Sequence, residues 1–309
     1  MNIFPVNFNP DSDSGPNSFT RNLFSILNKK FDVNICKDIL IADIEFVLIQ
    51  SNFEKIKPRI TRLDGIYFNL SQDFKSLNKP IKKSFNESDC VVYQSEFNKN
   101  LIDRWFGEHP NGKIIGNGAN IEEIEKILPA DLSSQFDNRE VWSCASSWRP
   151  HKRLNSNISY FLENSHKDAV LIIAGKGATK DDFLGFEKFL NNRIFYTGHL
   201  SWNQLIALYK SSSTFLHLAY LDHCPNVVVD AAASGCRIIC SSTGGTSEIP
   251  ATNKRIIKEN EWDFSPIYLY NPPKMDFKNF IDKSDLKIRT IDHSCNEYFK
   301  HMESLSETS

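Results

Sequence analysis

The sequence has no long apolar run, and no stretch of it approaches the ~18 consecutive apolar residues that a bilayer-spanning helix needs. Its first residues, MNIFPVNFNPDSDSG, contain neither a basic region nor an apolar core, so we expect no secretory signal. The net charge of −2 provides no basic surface for nucleic acid or for an anionic membrane as the main partner. Peripheral membrane contact and the oligomeric state stay open.

Paired cysteines are also missing. The seven cysteines are an odd number, none forms a C-x-x-C pair, and several lie inside apolar, strand-like runs. This usage indicates free buried thiols in a reducing compartment and disfavours disulfides or a zinc site. We therefore expect a cytoplasmic protein.

Short apolar runs alternate with helical patterns along the 309 residues, a length that favours two domains. In the first third, a helix is predicted from about Asn17, with apolar residues through Phe31 on one face. The strand-like runs of this third are MNIFPVNF, DVNIC, EFVLIQ, IYFNL and DCVVYQS. Those of the second half are VWSCASS, AVLIIAG, RIFYTG, TFLHLA and RIICSS.

This alternation predicts an α/β fold whose parallel sheets are covered by helices on both faces. The polar segment DLSSQFDNRE is interpreted as an inter-domain linker. We predict Rossmann-like domains over residues 1–135 and 136–275, followed by a charged helical tail over 276–309. Ligands of such sheets bind beyond the carboxyl ends of the strands, so the loops that follow the strands form the candidate site.

The first of these loops is basic. WRPHKRL places Arg149, Lys152 and Arg153 together just before a predicted helix. Cations at a helix start suit a phosphate group, which gains from their charge and from the free backbone N–H groups. A solvated surface turn is the alternative, and the position at the end of a strand favours the phosphate site.

Two later loops offer weaker signals. GKGATKDD contains Gly175 and Gly177 but lacks the third glycine of a dinucleotide fingerprint, so we interpret it as a tight turn near a ligand. RIFYTG is followed by His199, and a lone histidine is more often structural than functional.

The stretch AYLDHCPNVVVDAAASG contains an acid, Asp230, among valines and alanines. Pro225 suits a helix start and Gly235 a helix end, so residues 226–234 are predicted to be helical. Asp230 then shares a face with Asn226, and Asp222 lies in the loop before the helix. Asp230 either accepts hydrogen bonds from a ligand or caps a neighbouring loop. The glycines of the next loop, Gly244 and Gly245, offer exposed N–H groups to a sugar or a diphosphate, or form only a turn.

Taken in order, the segment from Val141 to Ile249 resembles the donor-binding domain of the family 4-like glycosyltransferases, which are retaining enzymes of the GT-B fold. Five pieces carry the resemblance: the basic loop, AGKG, TGHLSWNQLIALYKSS, the two acids eight positions apart, and TGGTSEI. In the N-terminal half, SGPNSFTRNL, ESDCVVYQSEFNKNLI and IIGNGANIEEI resemble the family more loosely. The resemblance implies two domains facing across a cleft, with the C-terminal helix able to return to the N-terminal domain.

The resemblance also implies roles. Lys152 would hold the donor diphosphate with Arg149 or Arg153, Asp222 would contact the transferred sugar, and Asp230 would accept from the ribose. The other donor-side candidates are His223, Cys224, Asn226, Gly177, His199, Gly244 and Gly245. Gly15 in the first loop would lie on the acceptor side.

The sequence departs from the family pattern in three places. Both acids, Asp222 and Asp230, are one methylene shorter than the usual Glu. The usual Arg five residues before the lysine is Ser147, so Arg149 is the substitute. The N-terminal histidine that many members have near the acceptor is missing, because the first histidine is His109 in a predicted loop. TRLDGIYF therefore supplies the acceptor-side candidates, Arg62 and the catalytic candidate Asp64.

The implied reaction moves a sugar from a UDP- or GDP-linked donor to a hydroxyl of a glycan, lipid or small molecule, with retention and without metal or cofactor. Two enzyme alternatives share the donor domain, a sugar-nucleotide epimerase and a hydrolase. A third alternative is a catalytically weak nucleotide-sugar-binding protein. A nicotinamide oxidoreductase is disfavoured because G-K-G is incomplete and lies mid-chain.

Overall fold

Each half of the chain is built on one largely parallel β-sheet. The computed structural model describes residues 1–307, except for the side chain of Ser133. One unit comprises residues 1–120, 263–267 and the segment from Arg289 onward, and the other comprises residues 121–262 and 268–288. The observed units divide the chain earlier than the predicted boundary at 135, and each contains non-contiguous segments.

The sheet of the first unit has six strands in the order β2-β1-β3-β4-β5-β6, and all neighbouring pairs are parallel. Its strands are β1 (Asn2–Val6), β2 (Asn34–Ile35), β3 (Ile44–Leu48), β4 (Arg59–Leu63), β5 (Cys90–Tyr93) and β6 (Gly112–Ile114). The helices between them are α1 (Gly15–Phe31), α2 (Phe74–Glu87) and α3 (Glu96–Phe106).

The sheet of the second unit has seven strands in the order β13-β12-β11-β10-β7-β8-β9, and only β13 is antiparallel to its neighbour. Its strands are β7 (Val141–Ala145), β8 (Val170–Ala174), β9 (Ile194–Gly198), β10 (Thr214–His217), β11 (Arg237–Ser241), β12 (Lys254–Ile257) and β13 (Phe280–Lys283). Its helices are α4 (Ile121–Lys126), α5 (Ser133–Phe136), α6 (Leu154–Asn164), α7 (Trp202–Lys210) and α8 (Asn226–Ala233).

Continuous apolar runs became strands because helices cover both faces of these sheets. Every residue of β7, β8 and β10 is buried, which is the pattern expected of parallel strands packed on two sides. The five strands predicted in the second half are confirmed. Helix α8 begins after Pro225 and is followed by Gly235 at a φ of 95°, as the Pro start and Gly stop predict.

Helix α9 (Ile291–Glu307) packs in the core of the first unit, so the predicted return of the C-terminal helix is confirmed. Its buried residues Ile291, Cys295, Tyr298 and Met302 lie against α1 and the sheet. The segment before it differs from the predicted helical tail, because Phe280–Lys283 pairs with β12 as an edge strand.

One strand predicted in the first third is wrong. IYFNL forms no strand, and the strand lies just before it, in β4. β6 had not been predicted. All seven cysteines are free thiols, as their spacing predicted. Within residues 1–307 there is no helix with the length and apolar character to cross a membrane.

Candidate functional site

The candidate site is built from the loops that leave the carboxyl ends of β7, β10 and β11. These three strands are neighbours, in the order β11-β10-β7, so their loops meet at one edge of the sheet. The loop after β7 carries Lys152, the loop after β10 carries Asp222, and the loop after β11 carries Gly244 and Gly245. The sheet therefore gathers at one place the donor-side candidates that are far apart in sequence.

The centre of the site is the carboxylate of Asp222. Its Oδ2 accepts a hydrogen bond from Lys152 Nζ at 2.5 Å and another from His217 Nε2 at 2.8 Å. The side chains of Lys152 and Asp222 are only 10% and 14% exposed. Burial raises the pKa of Asp222, but the charge of Lys152 and the hydrogen bond from His217 outweigh it and hold this pKa well below its ordinary value. Asp222 is therefore ionised and can only accept hydrogen bonds.

His217 is the last residue of β10 and was not predicted as a site residue. Burial lowers its pKa, the hydrogen bond to Asp222 opposes that change, and the charge of Lys152 lowers it further. Because the ionised carboxylate has no proton to give, Nε2 of His217 must carry the shared hydrogen. A neutral imidazole thus supports Asp222 from the sheet side.

The Gly244–Gly245 loop is fixed against the Asp222 loop. Gly245 N donates to Asp222 O at 2.7 Å, and Gly244 forms a parallel bridge with Asp222. A Cβ at Gly244 would lie 2.4 Å from Asp222 O, and the residue has a φ of 81°, so only glycine fits. The predicted turn is thus in contact with Asp222.

The three cations of the basic loop have different surroundings. Lys152 ends a short 3₁₀ turn, Pro150–Lys152, and pairs with Asp222. Arg149 is exposed and its side chain makes no hydrogen bond or ion pair with another described residue, so its guanidinium is open to a ligand. The loop therefore presents one paired and one exposed cation near the strand end.

Arg153 departs from the prediction of a phosphate ligand. It is buried, it adopts a left-handed conformation, and its guanidinium makes two bonds to Glu259, of 3.0 and 2.7 Å. It also donates to Leu218 O and Pro273 O and lies over the Tyr220 ring. Because Glu259 neutralises this arginine in the interior, Arg153 connects the loops of the site and is not available to a phosphate.

His151 lies in the same loop and is buried. Burial, assisted by the charges of Lys152 and Arg149, lowers its pKa to about 3 against the opposing influence of Asp222. Its ring stacks on Tyr270 with centroids 5.5 Å apart. A neutral histidine therefore lies directly beside Lys152.

The glycines after β8 serve backbone packing. A Cβ at Gly175 would lie 1.8 Å from Ser146 O, and one at Gly177 would lie 2.6 Å from Trp148 O. Lys176 O also accepts from Trp148 N at 2.7 Å. This turn supports the basic loop, whereas His199 is exposed and has no hydrogen bond to a described residue.

Asp230 lies on α8 one turn after Asn226, as predicted. Its Oδ2 accepts from Trp202 Nε1 at 3.0 Å, a contact to the first residue of α7 that had not been predicted. Burial raises the pKa of Asp230 to about 7, and the hydrogen bond from Trp202 only partly opposes this. In the loop before this helix, burial lowers the pKa of His223 to about 4. Cys224, the next residue, is partly exposed.

The acceptor-side candidates Arg62 and Asp64 form a buried ion pair in the first unit, with Arg62 Nε 2.7 Å from Asp64 Oδ1. Arg62 also donates to Tyr298, Gln94 and Asn117 and lies over the Phe19 ring. Burial raises the pKa of Asp64, and the charge of Arg62 opposes it. These contacts connect β4 to α9 and α1, so Arg62 has a structural role. Gly15 is the exposed first residue of α1.

Sequence reasoning missed three residues of the site, His217, Trp202 and Glu259. The position of His217 at the carboxyl end of a predicted strand was the available signal. Trp202 and Glu259 act through contacts with residues 28 and 106 positions away, which no local pattern reveals. Among residues 1–307, no three His, Cys, Asp or Glu side chains gather as a metal-ligand set.

Comparison with known proteins assigns the region that carries this site. Residues 133–264 match the family model of the glycosyl transferases group 1. The residues of the candidate site thus lie in a region that is similar to the glycosyl transferases group 1. The matched residues include Lys152, Asp222, His217 and Asp230, whereas Arg62 and the other acceptor-side candidates lie outside them.

Two curated relatives resemble the chain. An uncharacterized glycosyltransferase of Methanocaldococcus jannaschii, MJ1069, is 24% identical over 78% of this chain and 66% of its own length. A GDP-mannose-dependent monoacylated alpha-(1-6)-phosphatidylinositol monomannoside mannosyltransferase of Corynebacterium glutamicum is 23% identical over 56% of this chain and 50% of its own length. The chain thus spans about half to two thirds of these relatives.

The structure of Anabaena HepE in complex with UDP resembles nearly the whole chain. It has a TM-score of 0.66 at 13% identity, covering 98% of this chain and 99% of HepE. Together with the two largely parallel sheets, this similarity confirms the predicted GT-B fold.

Proposed function

We propose that the protein transfers a sugar from a nucleotide-sugar donor to an acceptor hydroxyl, with retention of configuration at the sugar. The observation that carries the proposal is the meeting of Lys152 and Asp222 beside the Gly244–Gly245 backbone, within the region that is similar to the glycosyl transferases group 1. A cation and a carboxylate beside a glycine turn suit a diphosphate joined to a polyhydroxylated ring.

In this proposal each donor-side residue serves one part of the donor. Lys152 and Arg149 bind the diphosphate, Asp222 accepts from hydroxyls of the transferred sugar, and Asp230 accepts from the ribose. The backbone of the segment from His223 to Asn226 contacts the sugar and the diphosphate. HepE was solved with UDP and the Corynebacterium relative is GDP-mannose-dependent, which supports a UDP- or GDP-linked donor.

The proposed reaction breaks the bond from the anomeric carbon to the diphosphate and forms a bond to the acceptor oxygen on the same face. The departing diphosphate oxygen takes the proton of the acceptor hydroxyl. Lys152 stabilises the negative charge that grows on that oxygen in a largely buried setting, where such stabilisation is strong. The proposal uses no metal ion and no covalent sugar intermediate. The acceptor is a hydroxyl of a glycan, lipid or small molecule.

The test is a panel of UDP- and GDP-linked hexoses, in which binding is followed by calorimetry and transfer by product NMR, which also reports anomeric configuration. Wild type should bind one donor class. Arg149→Ala, which removes an exposed side chain, should bind it about ten- to a hundredfold more weakly, since a charge-assisted bond contributes roughly 1.5–3 kcal/mol.

Lys167→Ala, an exposed lysine remote from the strand-end loops, is the matched control and should bind like wild type. Failure of every nucleotide sugar to bind wild type would overturn the proposal. Donor consumption without an acceptor would favour the epimerase or hydrolase alternative, and binding without turnover would favour a binding protein.

A further inference from the structure

Two hydrogen-bond donors converge on a single oxygen of the candidate site. Oδ2 of Asp222 accepts from Lys152 Nζ at 2.5 Å and from His217 Nε2 at 2.8 Å, while Oδ1 accepts from the backbone N of His223 at 3.1 Å. Lys152 thus forms an ion pair with Asp222. If the proposed function holds, the same ammonium group must also serve the donor diphosphate.

Binding of a diphosphate makes the surroundings of His217 more negative. The ammonium group of Lys152 is drawn toward the phosphates, so Asp222 loses part of its compensation, and the phosphates themselves add negative charge. Both changes favour a positive imidazole, because a nearby anion stabilises the charged form and the loss of a nearby cation removes a penalty. His217 is the remaining side chain on Oδ2 that can provide this charge.

We propose that His217 is a positioning residue that takes up a proton when a nucleotide sugar binds, and so keeps Asp222 compensated and in place while Lys152 engages the diphosphate. This inference rests on the proposed function. The proton comes from solvent and is added at Nδ1, while the N–H at Nε2 continues to donate to Asp222. One proton enters, and no covalent bond of the donor is changed.

The other ionisable groups near His217 do not take its place. Its facing groups are Asp222 and Lys152, with His151 and His223 in the adjoining loops and Cys240 opposite it on β11. The Cys240 thiol stays neutral because burial raises its pKa to about 12. His151 lies between the cations Lys152 and Arg149, which oppose its protonation. Of these histidine rings, His217 has the hydrogen bond to Asp222.

The experiment is calorimetry of donor binding in buffers of different ionisation enthalpy, between pH 6.5 and pH 8. The probe is UDP-glucose or GDP-mannose, whichever the donor panel identifies. Both phosphates of such a donor are esterified, so the donor itself has no group that titrates near neutral pH. The number of protons taken up per donor bound is the measured quantity.

His217→Gln is the test variant, because its amide can still donate to Asp222 but cannot take up a proton. Burial raises the pKa of Asp230 to about 7, so Asp230 would release protons if it accepts from the ribose, and the difference between variants is the informative number. Wild type should take up about half a proton or more beyond His217→Gln at pH 6.5–7. Its donor affinity, relative to the variant, should rise about three- to tenfold from pH 8 to pH 6.5.

His166→Gln replaces an exposed histidine of the same unit and should behave as wild type. If the donor binds and wild type and His217→Gln take up equal numbers of protons, the inference fails while the proposed function stands. If no nucleotide sugar binds, both fail. Should His217→Gln not fold, NMR titration of the His217 ring in wild type replaces it, and a ring that stays neutral in the complex overturns the inference.

Discussion

Asp230 is an acid whose surroundings favour its neutral form. It lies on an apolar helix, its side-chain partner is the indole N–H of Trp202, and burial raises its pKa to about 7. An ionised carboxylate in such a place costs stability unless it is well hydrogen-bonded. Asp230 is therefore a residue whose charge serves a ligand better than it serves the fold, which agrees with its proposed contact to a ribose.

We expect Asp230→Asn to stabilise the protein at high pH only. The folded-state pKa lies above the ordinary value of 3.8, so the folded protein binds more protons than the unfolded chain between about pH 4 and pH 7. The free energy of unfolding of wild type then falls as the pH rises through this window. The free energy of unfolding of Asp230→Asn does not fall in this way, because the amide does not titrate. The variant should therefore be more stable than wild type by about 1–3 kcal/mol at pH 8.

Urea denaturation of both proteins at pH 5 and pH 8 measures this difference, which should be much smaller at pH 5. Asp168→Asn, at an exposed site, is the control and should match wild type at both pH values. An Asp230→Asn protein that is no more stable at pH 8 would show that the charge of Asp230 is well compensated.

Residue types alone predicted the site only in part. The cluster of Arg149, Lys152 and Arg153 was correctly recognised as basic and as lying at a strand end. Which of the cations turns inward depends on the left-handed conformation of Arg153 and on Glu259, 106 positions later. A partner so distant in sequence leaves no trace in the local pattern, and the same applies to Trp202 and Asp230.

Among the elements, the turn after β8 determines how the basic loop is supported. Gly175 N donates to Gly198 O at 2.7 Å, and its Cα faces the backbone of Ser146 so closely that no side chain fits. The glycines of AGKG thus allow two neighbouring strand-end loops to touch. Their role in the site is indirect, through the position of the loop that carries Lys152.

We expect Gly175→Ala to be far more destabilising than Gly185→Ala. Both glycines have positive φ, 114° and 84°, so both substitutions carry the conformational penalty of about 1 kcal/mol. At Gly175 the new Cβ would also meet Ser146 O at 1.8 Å, whereas at Gly185 it would meet no atom within 4 Å. The backbone must move to relieve that clash, and this should destabilise Gly175→Ala by a further ~1–3 kcal/mol.

Chemical denaturation of the two variants measures this difference, and calorimetry with the donor shows whether the basic loop has moved. Equal losses of stability in both variants would mean that the loops separate freely and that the close approach is unimportant.

Apolar parallel strands were predictable, whereas the exposed antiparallel strand β13 and the polar strand β4 were not. β7, β8 and β10 are buried on both faces and therefore read as apolar runs. β13 is exposed along its whole length, so its sequence has no such run. β4, RITRL, has polar residues that are nevertheless buried, because Arg59 pairs with Glu45 and Arg62 with Asp64. Tertiary partners thus allowed a strand that the pattern argued against.

At the scale of the whole molecule, segments that are far apart in the chain share one hydrophobic core. The first unit has a core to which the N-terminal helix α1 and the C-terminal helix α9 both contribute, and the second unit has a separate core around Trp142 and Phe161. A change in α9 should therefore affect the beginning of the chain more than it affects the second unit.

Met302→Ala tests this organisation. Met302 is fully buried. Truncating such a residue lowers the free energy of unfolding by about 2–5 kcal/mol, because apolar burial is lost and a cavity is left behind. Hydrogen exchange followed by mass spectrometry should show faster exchange in α1 and β1, with β8 unchanged, because β8 belongs to the other core. Asn296→Ala, at an exposed position of the same helix, should change exchange in neither unit. Equal acceleration in α1 and β8 would instead mean that the two units unfold as one cooperative body.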